Sequence, residues 1–122
     1  MPMNVRIDGP VAVLSNFGRL FDDPRYIDAS REVRRLIDEG MRRFVIDLTN
    51  LRDLSDTALG LLTTITRQIR QGDGEVVLAH ITREVGTYLE EMRMDDYWDV
   101  HKTVDEAVRA LRGPSDTEDP QP

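Results

Sequence analysis

Cysteine is absent from this 122-residue chain, which removes disulfides, zinc–thiolate sites and thiol nucleophiles from consideration. Histidine is scarce. His80 and His101 are the two present, and neither has a partner at metal-ligand spacing. No apolar run approaches the ~20 residues a membrane span needs, and the opening "MPMNVRIDGP" carries no secretory apolar segment. The expectation is a cytoplasmic protein. A P-loop, a dinucleotide fingerprint and a nucleophile–histidine–acid pattern are all missing, so we expect no cofactor, no metal and no enzyme. A basic excess is missing too: 16 Lys and Arg face 23 Asp and Glu, a net charge of -7. Without a clustered basic stripe the chain does not read as nucleic-acid-binding, while protein partners stay open.

What is present suits a single domain, with 39% hydrophobic and 32% charged residues. We expect that domain over residues 1–112. The end "GPSDTEDPQP" holds Asp116, Glu118 and Asp119 without a base, so 113–122 is expected to be a disordered acidic tail. "MNVRIDGPVAVLSNFG" reads as two short strands around Gly9-Pro10. "DPRYIDASREVRRLIDEG" reads as a helix with Ile27, Val33, Leu36 and Ile37 on one face, stopped near Gly40. Phe44 to Leu48 and "EVVLAHI" are apolar enough for interior strands covered on both faces.

Between those strands a helix is predicted from about Asp56 to Gln71, with Leu59, Leu62, Ile65 and Ile69 inward. A third helix begins after Thr82 as N-cap, with Val85, Leu89 and Met92 inward and Gly86 weakening it. "DDYWDVHK" is a short strand or irregular segment in which Tyr97, Trp98 and Val100 pack. "TVDEAVRALR" closes the fold as a helix with a Thr103–Glu106 capping box. Strands alternating with helices make an α/β fold with a mostly parallel sheet, whose ligands and partners meet the carboxyl ends of the strands.

The stretch "VIDLTNLRDLSDTALGLL", Val45 to Leu62, crosses from strand to helix at that end. Ser55, Asp56 and Thr57 stand at the crossing. Such residues are favoured caps, and capping alone accounts for them. The same geometry also offers an exposed hydroxyl at a positive helix end, where a phosphate is well tolerated. A phosphate there would add up to about two negative charges to a docking surface.

These residues resemble a known family. "DLTNLRDLSDTALGLL" is similar to the central signature of STAS domains, which runs Asp-Leu-Ser, five variable residues, then Asp-Ser-small-Gly-Leu-Gly. Asp47, Leu48 and Thr49 match its opening, and Leu59 to Leu62 its close. "FGRL", "VVLAHITREVGTYLEEM" and "TVDEAVRAL" resemble further family segments in the same order. The resemblance implies a STAS-like, four- to five-stranded mixed sheet, mostly parallel, with about four helices.

It also implies a bacterial anti-sigma factor antagonist, a signalling protein of transcription regulation. Its partner would be an anti-sigma factor with serine-kinase activity, and a PP2C-type phosphatase would reset the phosphorylated form. The alternative is a non-phosphorylated scaffold subunit of a stressosome-like or lipid-transport assembly. One departure divides the readings. Where the family has Asp then the phosphorylated Ser, this chain has Ser55 then Asp56. In the ungapped register Asp56 occupies the acceptor position, as a phosphate mimic or a permanent charge. With one extra loop residue, Asp56-Thr57 reproduces the pair and Thr57 becomes the acceptor. In the ungapped register phosphorylation could also have moved to Thr57 or Ser55, which are the phosphorylation candidates, or the switch could be lost, leaving a constitutive docking module. The expected partner-binding set is Asn50, Asp53, Ser55, Asp56, Thr57, Ala58 and Gly60.

Three other groups have simpler readings. Asp47 and Asp53 lack a companion base or nucleophile for acid–base work. Asp22-Asp23 before Pro24 reads as a turn and a cap. The cluster Met92, Met94, Tyr97 and Trp98 reads as core, with an exposed part available for interaction.

Overall fold

A computed structural model describes residues 3–17, 27–49, 51–52 and 54–113. In chain order the elements are β1 (Asn4–Asp8), β2 (Val11–Ser15), α1 (Ile27–Asp38), β3 (Arg43–Asp47) and α2 (Asp56–Gln71). They continue with β4 (Glu75–Ala79), α3 (Arg83–Glu91), β5 (Val100–His101) and α4 (Val104–Arg112). The five strands form one sheet in sequential order. β1 pairs antiparallel with β2, and the β2–β3, β3–β4 and β4–β5 pairs are parallel. This is the mixed, mostly parallel sheet with four helices that the sequence led us to expect.

Side-chain alternation divides the core into two layers, because successive strand residues point to opposite faces. On one face Ala12, Leu14, Phe44, Ile46, Val76 and Leu78 pack with α1, α2 and α3 through Val33, Leu36, Leu62, Ile65, Val85 and Leu89. On the other, Val11, Val13, Val45, Val77 and Ala79 are covered by α4 through Ala107, Val108 and Leu111. The apolar runs of β3 and β4 are thus buried on both sides.

Connections are set by turn chemistry. Gly9 takes φ +60° in the β1–β2 turn, a left-handed value that favours glycine. Gly40 takes φ +104° just past α1, where its N–H donates to Ile37 O at 2.9 Å and Met41 N–H donates to Leu36 O at 3.0 Å. That closure ends the helix where its glycine predicted. Thr103 caps α4 by accepting from Glu106 N–H at 3.0 Å.

Two inward-facing expectations are corrected. α3 ends at Glu91, so Met92 lies at its C-cap and is 46% exposed. Val100 is 41% exposed; β5 is a two-residue strand with no neighbour beyond it among the described residues. Trp98 is buried, as expected, and its indole N–H donates to the buried Thr66 hydroxyl at 2.8 Å. Tyr97 and Met94 are partly buried against the same core. "FGRL" beyond Phe17, the Asp22–Pro24 turn and residues 114–122 of the tail lie outside the described residues.

Candidate functional site

The strand-to-helix crossing is built on three leucines. β3 ends at Asp47, and Leu48, Leu51 and Leu54 are buried at near-regular spacing along the segment that follows. Leu51 N–H donates to Leu48 O at 3.0 Å and Leu48 N–H to Ala79 O at 3.0 Å, which ties the loop to the end of β4. The Asp47 carboxylate accepts from the Thr49 N–H at 3.0 Å and the Thr49 hydroxyl at 2.6 Å. Asp47 is therefore a local turn-former, consistent with loop chemistry rather than catalysis. Ser55 follows the buried Leu54 and is exposed.

Ser55 is the N-cap of α2. Its backbone is extended at φ -95° and ψ 171°, and its hydroxyl accepts from Ala58 N–H at 3.1 Å. Asp56 and Thr57 form the exposed first positions of the helix, and Gly60 is exposed one turn on. Ala58 and Leu59 turn into the core. The structure thus gathers Ser55, Asp56, Thr57 and Gly60 on one surface. Ala58 contributes its N–H to the cap, while its buried methyl is unavailable for contact. Asn50 and Asp53 lie outside the described residues. The Thr57 hydroxyl meets no hydrogen-bond partner among the described residues.

Two contacts absent from the sequence reading join this surface to α3. The Tyr88 hydroxyl donates to Asp56 Oδ1. The Thr82 hydroxyl, which caps α3 by accepting from Val85 N–H at 3.1 Å, donates to Arg52 O at 3.0 Å. The hydrogen bond to Asp56 raises the Tyr88 phenol above its ordinary range, with burial and the carboxylate's charge acting in the same direction. Beside Tyr88 lies a shallow cleft of about 300 Å³, lined by Leu54, Arg83, Glu84, Thr87, Tyr88 and Glu91. No short-range signal marks Tyr88 in the sequence, since its partner is 32 positions away.

Elsewhere the chemistry is thin. A cavity of about 530 Å³ opens beside the start of β4, lined by Arg70, Glu75, Asp96 and His101 among others, away from the first turn of α2. Arg70 there donates to Tyr97 O at 2.7 Å and stacks over the Tyr97 ring at 4.6 Å, which serves packing. Among the described residues no group of three His, Asp or Glu side chains could hold a metal ion. No helix among them is long and apolar enough to cross a membrane.

Comparison with known proteins agrees with this geometry. The STAS domain family matches residues 4–107. No curated protein matches the chain in sequence. Among solved structures, a STAS-domain anti-sigma-factor antagonist protein from Planctomyces limnophilus superposes with a TM-score of 0.74 at 19% identity. That match covers 91% of this chain and 98% of the other. A Thermotoga maritima protein proposed to be an anti-sigma factor antagonist superposes with a TM-score of 0.73 at 15% identity, covering 91% and 95%. At such identities the likeness shows the fold alone.

Proposed function

The chain belongs to the STAS domain family, and from that premise we propose that it is an anti-sigma factor antagonist-like docking module. Its partner is an anti-sigma factor of the serine-kinase type, received over the first turn of α2. The observation that carries this reading is the capped, exposed first turn of α2, where Asp56 and Thr57 stand at the surface; in the ungapped register of the resemblance Asp56 takes the place of the family's phosphate acceptor. The Ser55 cap holds the first turn of α2 in helical form, which leaves less ordering for binding to cost.

The three candidate side chains take different roles. Ser55 is committed to capping Ala58 N–H, so Asp56 carries the standing charge and Thr57 is the hydroxyl open to a kinase. Phosphorylation of Thr57 would add up to about two charges beside Asp56 and weaken docking, and a PP2C-type phosphatase would restore it. Kinase and phosphatase activities reside in the partners, and this chain acts as ligand and substrate in the cytoplasm.

Calorimetric titration against the serine-kinase anti-sigma factor of the same cell tests the surface. Asp56→Arg should lower affinity at least tenfold, or about 1.4 kcal/mol, with an unchanged circular dichroism spectrum. Equal affinity in a folded variant would remove this surface from the reading. A second reading, a non-phosphorylated STAS scaffold subunit, draws its support from the ungapped register alone, which leaves no Ser at the acceptor position. Intact mass and fragment spectra of protein isolated from its own cells separate the two. Phosphate on Thr57 or Ser55 supports the switch. A uniformly unmodified chain in the presence of active kinase supports the scaffold.

A further inference from the structure

We infer that Tyr88 is the positioning residue for Asp56, turning its carboxylate from its own helix end toward α3 and holding it in one orientation on the docking surface. This rests on the docking reading for its purpose, and on geometry for its existence. An aspartate in the first turn of a helix ordinarily has two outlets, the unpaired N–H groups of that turn and solvent. Here a third is built in. The Tyr88 hydroxyl donates to Asp56 Oδ1 from a different helix.

The donor is itself held. α3 is fastened to the loop before α2 through the Thr82 hydroxyl and Arg52 O at 3.0 Å. Its inner face is seated by Val85 and Leu89, exposed 0% and 2%. Tyr88 packs against the core beside them and is half-buried. Packing of the ring against the core restricts its rotamers and sets the hydroxyl beside Asp56. The charged neighbours in the cleft are Arg83, Glu84 and Glu91. None of them has an ion pair to Asp56 among the described residues.

The consequence is division of labour within one carboxylate. Oδ1 is taken by Tyr88, and Oδ2 is left for a cationic or N–H group of the partner. A carboxylate already ordered loses less side-chain entropy when a partner binds. The raised phenol titration agrees with a donor held against a negative charge.

The test removes only the hydroxyl. In wild type, Tyr88→Phe and Asp56→Asn, tyrosines labelled with carbon-13 at Cζ are followed by NMR across alkaline pH. The Tyr88 resonance, assigned by its loss in Tyr88→Phe, should titrate above the ordinary tyrosine range in wild type and move down toward it in Asp56→Asn. Identical titration in both would overturn the inference, because a merely packed tyrosine ignores that change. In parallel, Tyr88→Phe should bind the serine-kinase anti-sigma factor about three- to tenfold more weakly. In Asp56→Asn the same second substitution should have less effect. Wild-type affinity in Tyr88→Phe, or losses that simply add, would also overturn it while leaving the docking surface standing. If instead Asp56→Arg binds as wild type does, the docking reading falls, and the titration alone decides whether Tyr88 positions Asp56.

Discussion

At the residue scale, adjacent polar side chains at the start of α2 have separable duties. Ser55→Ala removes the acceptor for Ala58 N–H and should lower stability by about 1 kcal/mol. Thr57→Ala, with no described partner for its hydroxyl, should stay within about 0.5 kcal/mol of wild type. Urea denaturation of the two variants measures the contrast, and equal losses would contradict the assignment of Ser55 as the sole cap. Tyr88 adds a pH signature. Its folded titration lies above the unfolded one, so its contribution is complete below the ordinary tyrosine value of about 10. It is lost as pH rises through the higher folded value. The urea midpoint of wild type should therefore exceed that of Tyr88→Phe near neutral pH, and the gap should close under strongly alkaline conditions. A gap independent of pH would place the effect in ring packing. Neither role could be told from the order Ser-Asp-Thr, since all three residue types cap helices well.

At the element scale, periodicity located α2 from Asp56 to Gln71 because its apolar residues recur through the whole helix and polar residues close both ends. α3 was harder. Met92 falls three residues after Leu89, which suits a continuing helix, yet the helix stops at Glu91 and leaves Met92 at the surface. A spacing rule identifies the inward face only while the helix lasts. Two glycines show how similarly a sequence can mark opposite situations. Gly60 lies within α2 with open space where a Cβ would stand, so Gly60→Ala should raise stability by roughly 0.5–1 kcal/mol. Gly74 precedes β4, where a Cβ would stand 2.8 Å from Arg42 O and 2.8 Å from Ile69 Cγ2. Gly74→Ala should lower stability by about 1–3 kcal/mol. Thermal and urea melts check both signs. Gly60→Ala also probes docking: a more stable protein that binds its partner less well would mean the partner approaches closely there.

At the scale of the whole molecule, one sheet carries two unequal layers, which among the described residues are α1, α2 and α3 on one face and α4 on the other. The layers share the central strands, so they should unfold together. Trp98, the single tryptophan, links the 95–99 segment to α2 through Thr66 and reports on that unity. Thr66→Val keeps the shape but leaves a buried N–H without its acceptor, and should lower stability by about 1–3 kcal/mol. Tryptophan fluorescence and far-ultraviolet circular dichroism should still give one coincident transition. Separated transitions would mean that the layers are independent units.

The alternation of apolar strands with amphipathic helices determined the fold class, and the pattern around Ser55 determined where strand gives way to helix. Both follow from chemistry repeated locally along the chain, a period of two in strands and about 3.6 in helices. The tertiary structure alone decided that Ala58 faces the core, that Met92 and Val100 face solvent, and that Tyr88 reaches Asp56. These depend on which elements become neighbours and where an edge is left uncovered. No local pattern encodes a hydrogen bond between residues 56 and 88, because it exists only after α3 has packed beside α2 on the sheet.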